Sequence, residues 1–356
     1  MCIRDREGNP LWEKESTIAV ANTLKTYSKH TIEYPYPVAI SVHAASIGME
    51  YPMICFNFGR PNDDGTYSDA TKWRMISVII HEVGHFFIPM IINSDERQWT
   101  WMDEGLNDYS NIRYWQDKYG DANERFVLIP LIQDKIGIAK SLKYSWFNYI
   151  QYASSAKSEK VQPLNLKADE YTPANYGLNY SKTGVFTRFL HHYLGEDKMD
   201  DIMQEYFQEC KYKHPAPEEF RSVFEKNTNK DLTWYFNGAL KTTEYIDYSI
   251  RKKRGRYIVT NRGTMNSPVE VVFYGKDKKE IERIWIEGVD VEREIKAPEG
   301  VRYAIIDPDE HMPDIKRENN STRSNVRLHW VWDQPTYYDH DINLSLIHIS
   351  EPTRPY

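Results

Sequence analysis

Two histidines and a glutamate stand together at positions 81 to 85, "HEVGH", within the longer stretch "ISVIIHEVGHFFIPMI". On a helix His81 and His85 are four residues apart, so both rings leave the same face about one turn from each other. Two imidazoles at that separation can share one Zn²⁺ at Zn–N distances of about 2.0 to 2.1 Å. Glu82 follows the first histidine and is aimed beside such a metal, where a carboxylate can take a proton from activated water and pass it to a leaving amine. The bland alternative is a core helix whose histidines are satisfied by hydrogen bonds, and the five-residue pattern alone does not separate the two.

Catalytic zinc wants a third protein ligand and an open fourth position. Pro89 must end or kink the first helix close to its position, "INSDERQ" supplies a turn, and "WTWMDEGLNDYSNIRYW" resumes helical spacing. Glu104 lies on that second helix, with eighteen residues between it and His85, and an antiparallel helix pair would return it to the metal.

Taken together, HExxH, eighteen residues and Glu within "WMDEGLN" resemble the gluzincin metallopeptidases of the aminopeptidase N type. The stretch "SIGMEYPM" (46 to 53) is similar to that family's Gly-x-Met-Glu-x segment, which lies on an edge strand before the zinc helix, and Gly48, Met49 and Glu50 match it. The resemblance implies that Glu50 binds the free α-amine of a peptide while the strand pairs with its backbone, which is chemically reasonable for a carboxylate beside an extended edge. "NYSKTGVFTRFLHHYLGE" (179 to 196) is similar to the family's Tyr-x-Lys segment, so Tyr180 would stabilise the tetrahedral oxyanion, with Tyr176 as the fallback. By analogy with gluzincins generally, Asp108 is a candidate acceptor for a zinc histidine N–H, although an ordinary helix-surface aspartate fits its spacing equally well. Asp103 is assigned no role, and Lys182 reads as structural or substrate-adjacent.

The likeness covers about residues 10 to 250 and extends more loosely beyond them; the family's N-terminal β domain has no counterpart in it. It implies an α+β, thermolysin-like catalytic domain holding one Zn²⁺ per chain and acting on peptides with a free N-terminus. An endopeptidase on the same machinery is the nearest rival, and a non-catalytic binding module that keeps the fold is the rival from another class. The intact ligand set and Glu82 argue against a decayed site.

The elements that must position these residues are legible as patterns. "LWEKESTIAVANTLKTYSK" (11 to 29) carries apolar residues near helical spacing, and "YPYP" (34 to 37) forces an extended chain. "VAISVHAA" (38 to 45) and "YPMICFNFG" (51 to 59) are strand-favouring runs before the turn cluster "RPNDDG". From Thr71 to about 245 the helical period dominates: Trp73, Ile76, Ile80, Val83 and Phe87 form one stripe, and Phe186, Phe189, Leu190 and Tyr193 another that ends at Gly195. After "RKKRGR" (251 to 256) short alternating runs separated by charged turns predict a small all-β module, with the basic run as a solvated strand edge or linker. "KRENNSTRSN" (316 to 325) reads as a polar linker, and no internal repeat is present at a 20 to 50 residue period.

Both ends look like translated sequencing-library adapter: "MCIRDR" at 1 to 6 and "LSLIHISEPTRPY" at 344 to 356. The expected organisation is therefore a catalytic domain at 7 to 250, a β domain at 251 to 315 and a linker with the start of a further region at 316 to 343. A composition of 356 residues with 40% hydrophobic content can bury two cores, and a net charge of −7 makes non-specific nucleic-acid binding a poor candidate. Cys55 and Cys210 are too few for a disulfide framework and lack CxxC spacing. No apolar run approaches the ~18 residues of a spanning helix, while export to a periplasm or cell surface stays open.

Overall fold

The computed structural model describes residues 10–120, 144–158 and 161–323, with the backbone of short strands at Cys2–Ile3, Arg327–Val331 and Asp341–Ser345. Most of the two adapter-like segments, and the stretch from 324 to 343 apart from its strand backbone, lie outside the described residues. The chain divides into two units, Met1–Thr243 and Glu244–Tyr356.

The first unit is α+β. Its sheet comprises β1 (Cys2–Ile3), β2 (Ile40–His43), β3 (Met49–Tyr51) and β4 (Ile54–Asn57) in the order β1-β2-β4-β3, so β3 is an edge. The run expected as one strand over 51 to 59 is two: β3 turns at Tyr51–Met53 and pairs antiparallel with β4, Glu50 opposite Cys55. Pro52 cannot donate to a ladder and Met53 takes a positive φ of 64°, which together close the hairpin.

The helices are α1 (Leu11–His30), α2 (Asp69–Gly84), α3 (Leu106–Tyr119), α4 (Tyr144–Lys157), the single turn α5 (Pro173–Tyr176), α6 (Leu178–Leu194), α7 (Glu196–Cys210) and α8 (Pro217–Asn227). The Ser68 hydroxyl opens α2 by accepting from Thr71 N–H at 3.1 Å, a cap worth about 1 kcal/mol. Ile76, Ile80 and Val83 from its predicted stripe are buried, each contributing roughly 1.5 to 3 kcal/mol on leaving water. The helix stops at Gly84, earlier than Pro89 requires, because the next N–H groups turn inward: Phe86 to Val83 O (3.1 Å) and Phe87 to Gly84 O (2.9 Å). Phe87 is still fully buried, packed against Tyr27 of α1 at 5.3 Å between ring centroids. The α6 stripe of Phe186, Phe189, Leu190 and Tyr193 is buried as expected, and Gly195 ends the helix at φ 90°.

The second unit is built of β-strands among its described residues, apart from one 3-10 turn at Arg317–Asn319. One three-stranded sheet runs β10 (Tyr303–Ile306), β7 (Val269–Tyr274), β8 (Glu280–Ile286), a second β5 (Tyr248–Lys253), β6 (Arg256–Asn261), β9 (Glu292–Ile295), and the strands Arg327–Val331 and Asp341–Ser345 pair in parallel. Inward residues such as Tyr248, Val259, Val271, Phe273 and Ile306 form its core. The basic run is a hairpin tip between β5 and β6, with Arg254 and Gly255 both at positive φ. This unit begins at Glu244, ahead of the expected boundary at 251, because β5 already starts at Tyr248. The polar run from 316 is no linker over its described part. Arg317 and Asn320 are buried, and Asn320 O accepts from Ile306 N–H at 2.7 Å. Polarity there serves buried hydrogen bonds rather than solvent.

Candidate metal centre

His81 and His85 come from the last turn of α2 and its cap. Glu104 comes from a π-helical turn, Trp101–Gly105, that leads into α3. The wider turn lets two consecutive carboxylates, Asp103 and Glu104, both reach the histidines. His85 Nε2 lies 3.1 Å from His81 Nε2, and Glu104 Oε2 lies 3.2 Å from each. A tetrahedral ion with ~2.0 to 2.1 Å bonds places its donors about 3.3 Å apart, so the nearly equilateral triangle fits Zn²⁺ in size and donor type. One nitrogen of each histidine and one Glu104 oxygen all lie within 4.8 Å of one another, as ligands of a single ion would.

The surroundings orient the donors. His85 is 1% exposed; its Nδ1 lies 2.8 Å from the Ile88 carbonyl and 2.9 Å from Asp103 Oδ1. The ring N–H is aimed at the carbonyl, so Asp103 acts on it through charge at close range, and Nε2 is left to face the centre. Asn107 donates to the His81 carbonyl at 2.9 Å, while its own Oδ1 accepts from the Tyr27 hydroxyl at 2.7 Å. The Asn107 and Asn111 amides both approach His81 Nδ1 at 3.4 Å. α6 comes close because Gly105 has no side chain: a Cβ there would lie 2.3 Å from Thr183 Cβ and 2.5 Å from the Asn179 carbonyl.

Electrostatics follow from this burial. Burial works against the charge on Glu104, but His85 and His81 outweigh it and hold the carboxyl well below the usual carboxylate range. Burial pushes Glu82 up to about 8; His85 opposes this, while Glu50 and Glu104 reinforce it. Glu82 Oε2 is buried without a hydrogen-bond partner among the described residues. Burial and then Glu104 raise the Tyr180 hydroxyl, which donates to Glu104 Oε1 at 2.5 Å; its ring stacks on His81 at 5.6 Å.

The structure thus brings His81, Glu82, His85, Glu104, Glu50 and Tyr180 into one locus, with Glu50 grouped with His85 and Asp103. Gly48 and Met49 lie at the start of β3, and Gly48 abuts Glu82. Tyr176 is 38% exposed, 6.4 Å from Tyr180 between ring centroids. Lys182 is buried and donates to the Thr242 carbonyl at 2.9 Å, a structural contact. Asp108 is the correction: its carboxylate accepts from Asn148, and the place beside a histidine ring nitrogen is taken by Asp103. A regular helix through 101 to 108 would favour the i+4 residue after Glu104, whereas the π turn rotates Asp103 inward. Asp103, Asn107, Asn111 and Tyr27 were not readable as site residues, although Asn107 shares a helix face with Glu104 at i+3.

Two imidazoles one turn apart, closed by a carboxylate from the following helix, define a metallopeptidase-type centre. The chain belongs to peptidase family M1, the aminopeptidase N type of gluzincin, whose domain model matches residues 15–238. In fold it is similar to the crystal structure of Legionella pneumophila aminopeptidase A in complex with aspartic acid, at TM-score 0.58 and 12% identity. That match covers 84% of this chain and 34% of the other, so the chain spans about a third of that protein's length. No curated protein matches the chain.

Proposed function

We propose that the protein is a zinc aminopeptidase that hydrolyses the first peptide bond of peptides. The observation that carries this reading is the triangle of His81 Nε2, His85 Nε2 and Glu104 Oε2, with Glu82 and Tyr180 directly beside it. His81, His85 and Glu104 would hold the metal, which when bound supplies Lewis-acid polarisation of the scissile carbonyl and acidifies water.

The chain's own residues do the rest. Glu82 takes the proton of the attacking water and returns it to the leaving amine; its buried, unpartnered oxygen gives the proton a place to reside. Tyr180 exchanges its bond to Glu104 for one to the carbonyl oxygen as negative charge develops there. Glu50, on the edge strand β3, anchors the substrate ammonium, and the free edge of β3 offers backbone pairing that fixes the peptide's direction. Met49 starts that strand and Gly48 immediately precedes it.

Metal analysis of the purified protein, joined to hydrolysis of aminoacyl-arylamide substrates with and without chelator, tests the reading. One equivalent of zinc, activity lost to chelator and activity lost in Glu82→Ala are expected. A protein without stoichiometric metal, whose activity survives Glu82→Ala, would belong to a different class.

A further inference from the structure

In the β unit, Lys252, Lys276, Lys278, Arg302 and Arg323 surround a cavity of about 520 Å³, and no acidic side chain lines it. The chain as a whole is acidic, at net −7, so this concentration of positive charge runs against its composition. Four other arginines of the same unit are paired, Arg251 with Glu292, Arg256 with Glu294, Arg317 with Glu310, and Arg283 with Glu270, Glu280 and Asp309, while Arg254, Arg262 and Arg293 form no ion pair among the described residues. The five around the cavity form no ion pair among the described residues.

Two of them are nevertheless held in place. The Arg323 guanidinium lies over the Tyr303 ring at 5.5 Å, and that ring is stacked on Tyr274 at 5.0 Å and 11°. The Lys252 ammonium lies over Tyr257 at 5.0 Å. Aromatic faces orient a cation without neutralising it, so these groups are positioned yet keep their charge for an anion. The residues come from β5, the β7–β8 turn, the start of β10 and the segment after Asn320, so folding of the unit assembles the site.

From this geometry we propose that the cavity binds a compact polyanion carrying several phosphate or sulfate groups. Five cations around a volume suited to a small ligand exceed what one monovalent anion can engage. Arg forks and Lys ammonium groups together match tetrahedral oxyanions. The pocket opens to solvent and its five cations are exposed, yet they form one compact cluster, whereas long nucleic acid needs an extended basic track.

Titration calorimetry on the full chain, with inorganic triphosphate and with a heparin-type sulfated hexasaccharide, tests the site. Monophosphate and hexaglutamate are the comparison ligands. At least one polyanion binds, more tightly than either comparison ligand, and the tighter of the two names the source. Binding weakens about tenfold or more in Lys276→Glu/Lys278→Glu and in Arg302→Glu/Arg323→Glu, and weakens further with added salt. The double variant Lys118→Glu/Lys198→Glu, with the same charge change on the other unit, keeps the affinity within about twofold. Circular dichroism checks that the variants fold. The proposal is overturned if neither polyanion binds, if monophosphate binds as tightly, if hexaglutamate binds more tightly, or if folded cavity variants retain full affinity.

Discussion

Gly48 and Glu82 occupy one another's space: a Cβ built on Gly48 would lie 2.3 Å from Glu82 Oε1 and 3.1 Å from its carboxyl carbon. The residue just before the edge strand therefore leaves the volume in which the Glu82 carboxyl, the proposed proton carrier, sits. Gly48→Ala should move Glu82 off its position while leaving the zinc triangle intact. A fall of about 10- to 100-fold in kcat, with metal content unchanged, is expected from arylamide kinetics and metal analysis. Unchanged kcat would show that Glu82 has room to spare.

Asn107 joins three elements, taking the Tyr27 hydroxyl from α1 and holding the His81 carbonyl at the end of α2. Asn107→Leu breaks both bonds in a buried place. Zinc affinity measured by chelator competition should fall about 10- to 100-fold, the range seen for outer partners of metal ligands. Tyr27→Phe removes only one of the two bonds and should show a smaller fall in the same assay.

Asp103 stands 2.9 Å from His85 Nδ1, and its burial pushes the carboxyl up to about 6 against the pull of His85. Asp103→Asn keeps the shape and removes the charge. Because the Ile88 carbonyl still holds the ring N–H, the His85 tautomer should persist, while zinc affinity drops by about tenfold or more. An unchanged affinity would assign orientation of His85 to the carbonyl alone.

Away from the site, His30 lies between Asp117 (2.8 Å) and Asp200 (3.0 Å), with Arg113 alongside. Burial lowers its pKa, but the bonds to Asp117 and then Asp200 outweigh that and raise it above the ordinary value. A raised histidine contributes stability that is complete below about pH 6.5 and is lost as pH climbs through the folded value. Both aspartates are held below their ordinary range, so their contribution is present above about pH 4 and is lost in stronger acid. His30→Asn should therefore cost about 2 kcal/mol near pH 5.5 and distinctly less at pH 8.5, as read from denaturant midpoints. Equal losses at both pH values would mean that folding leaves the His30 pKa unshifted.

The sequence made these elements unequally visible, and the reasons are physical. Helical stripes such as Ile76, Ile80 and Val83 and their placement of His81 and His85 were readable because spacing along a helix is local. Glu104 was readable through its spacing, eighteen residues after His85, which matches the family motif. The π turn was not: nothing local in "WMDEG" distinguishes a wider turn from an ordinary one, so Asp103 and Asp108 exchanged places as neighbours of the site. Tyr27 and Asn107 are 80 residues apart, and their bond exists only once α1, α2 and α3 pack. The run at 316 looked like a linker because polarity alone does not tell a solvated segment from one whose polar groups are paired in the interior.

In the proposed reaction Glu50 and the triangle of His81, His85 and Glu104 together read a free peptide N-terminus. The most direct test is kcat/KM for one peptide with a free α-amine against the same peptide N-acetylated, in the zinc-loaded complete gene product. Losing a charge-assisted contact to the half-buried Glu50 carboxylate should cost about 2 kcal/mol, so the free peptide should be cleaved about 30-fold faster, at its first bond. Equal cleavage of the two peptides would contradict the account and make the enzyme an endopeptidase on the same centre.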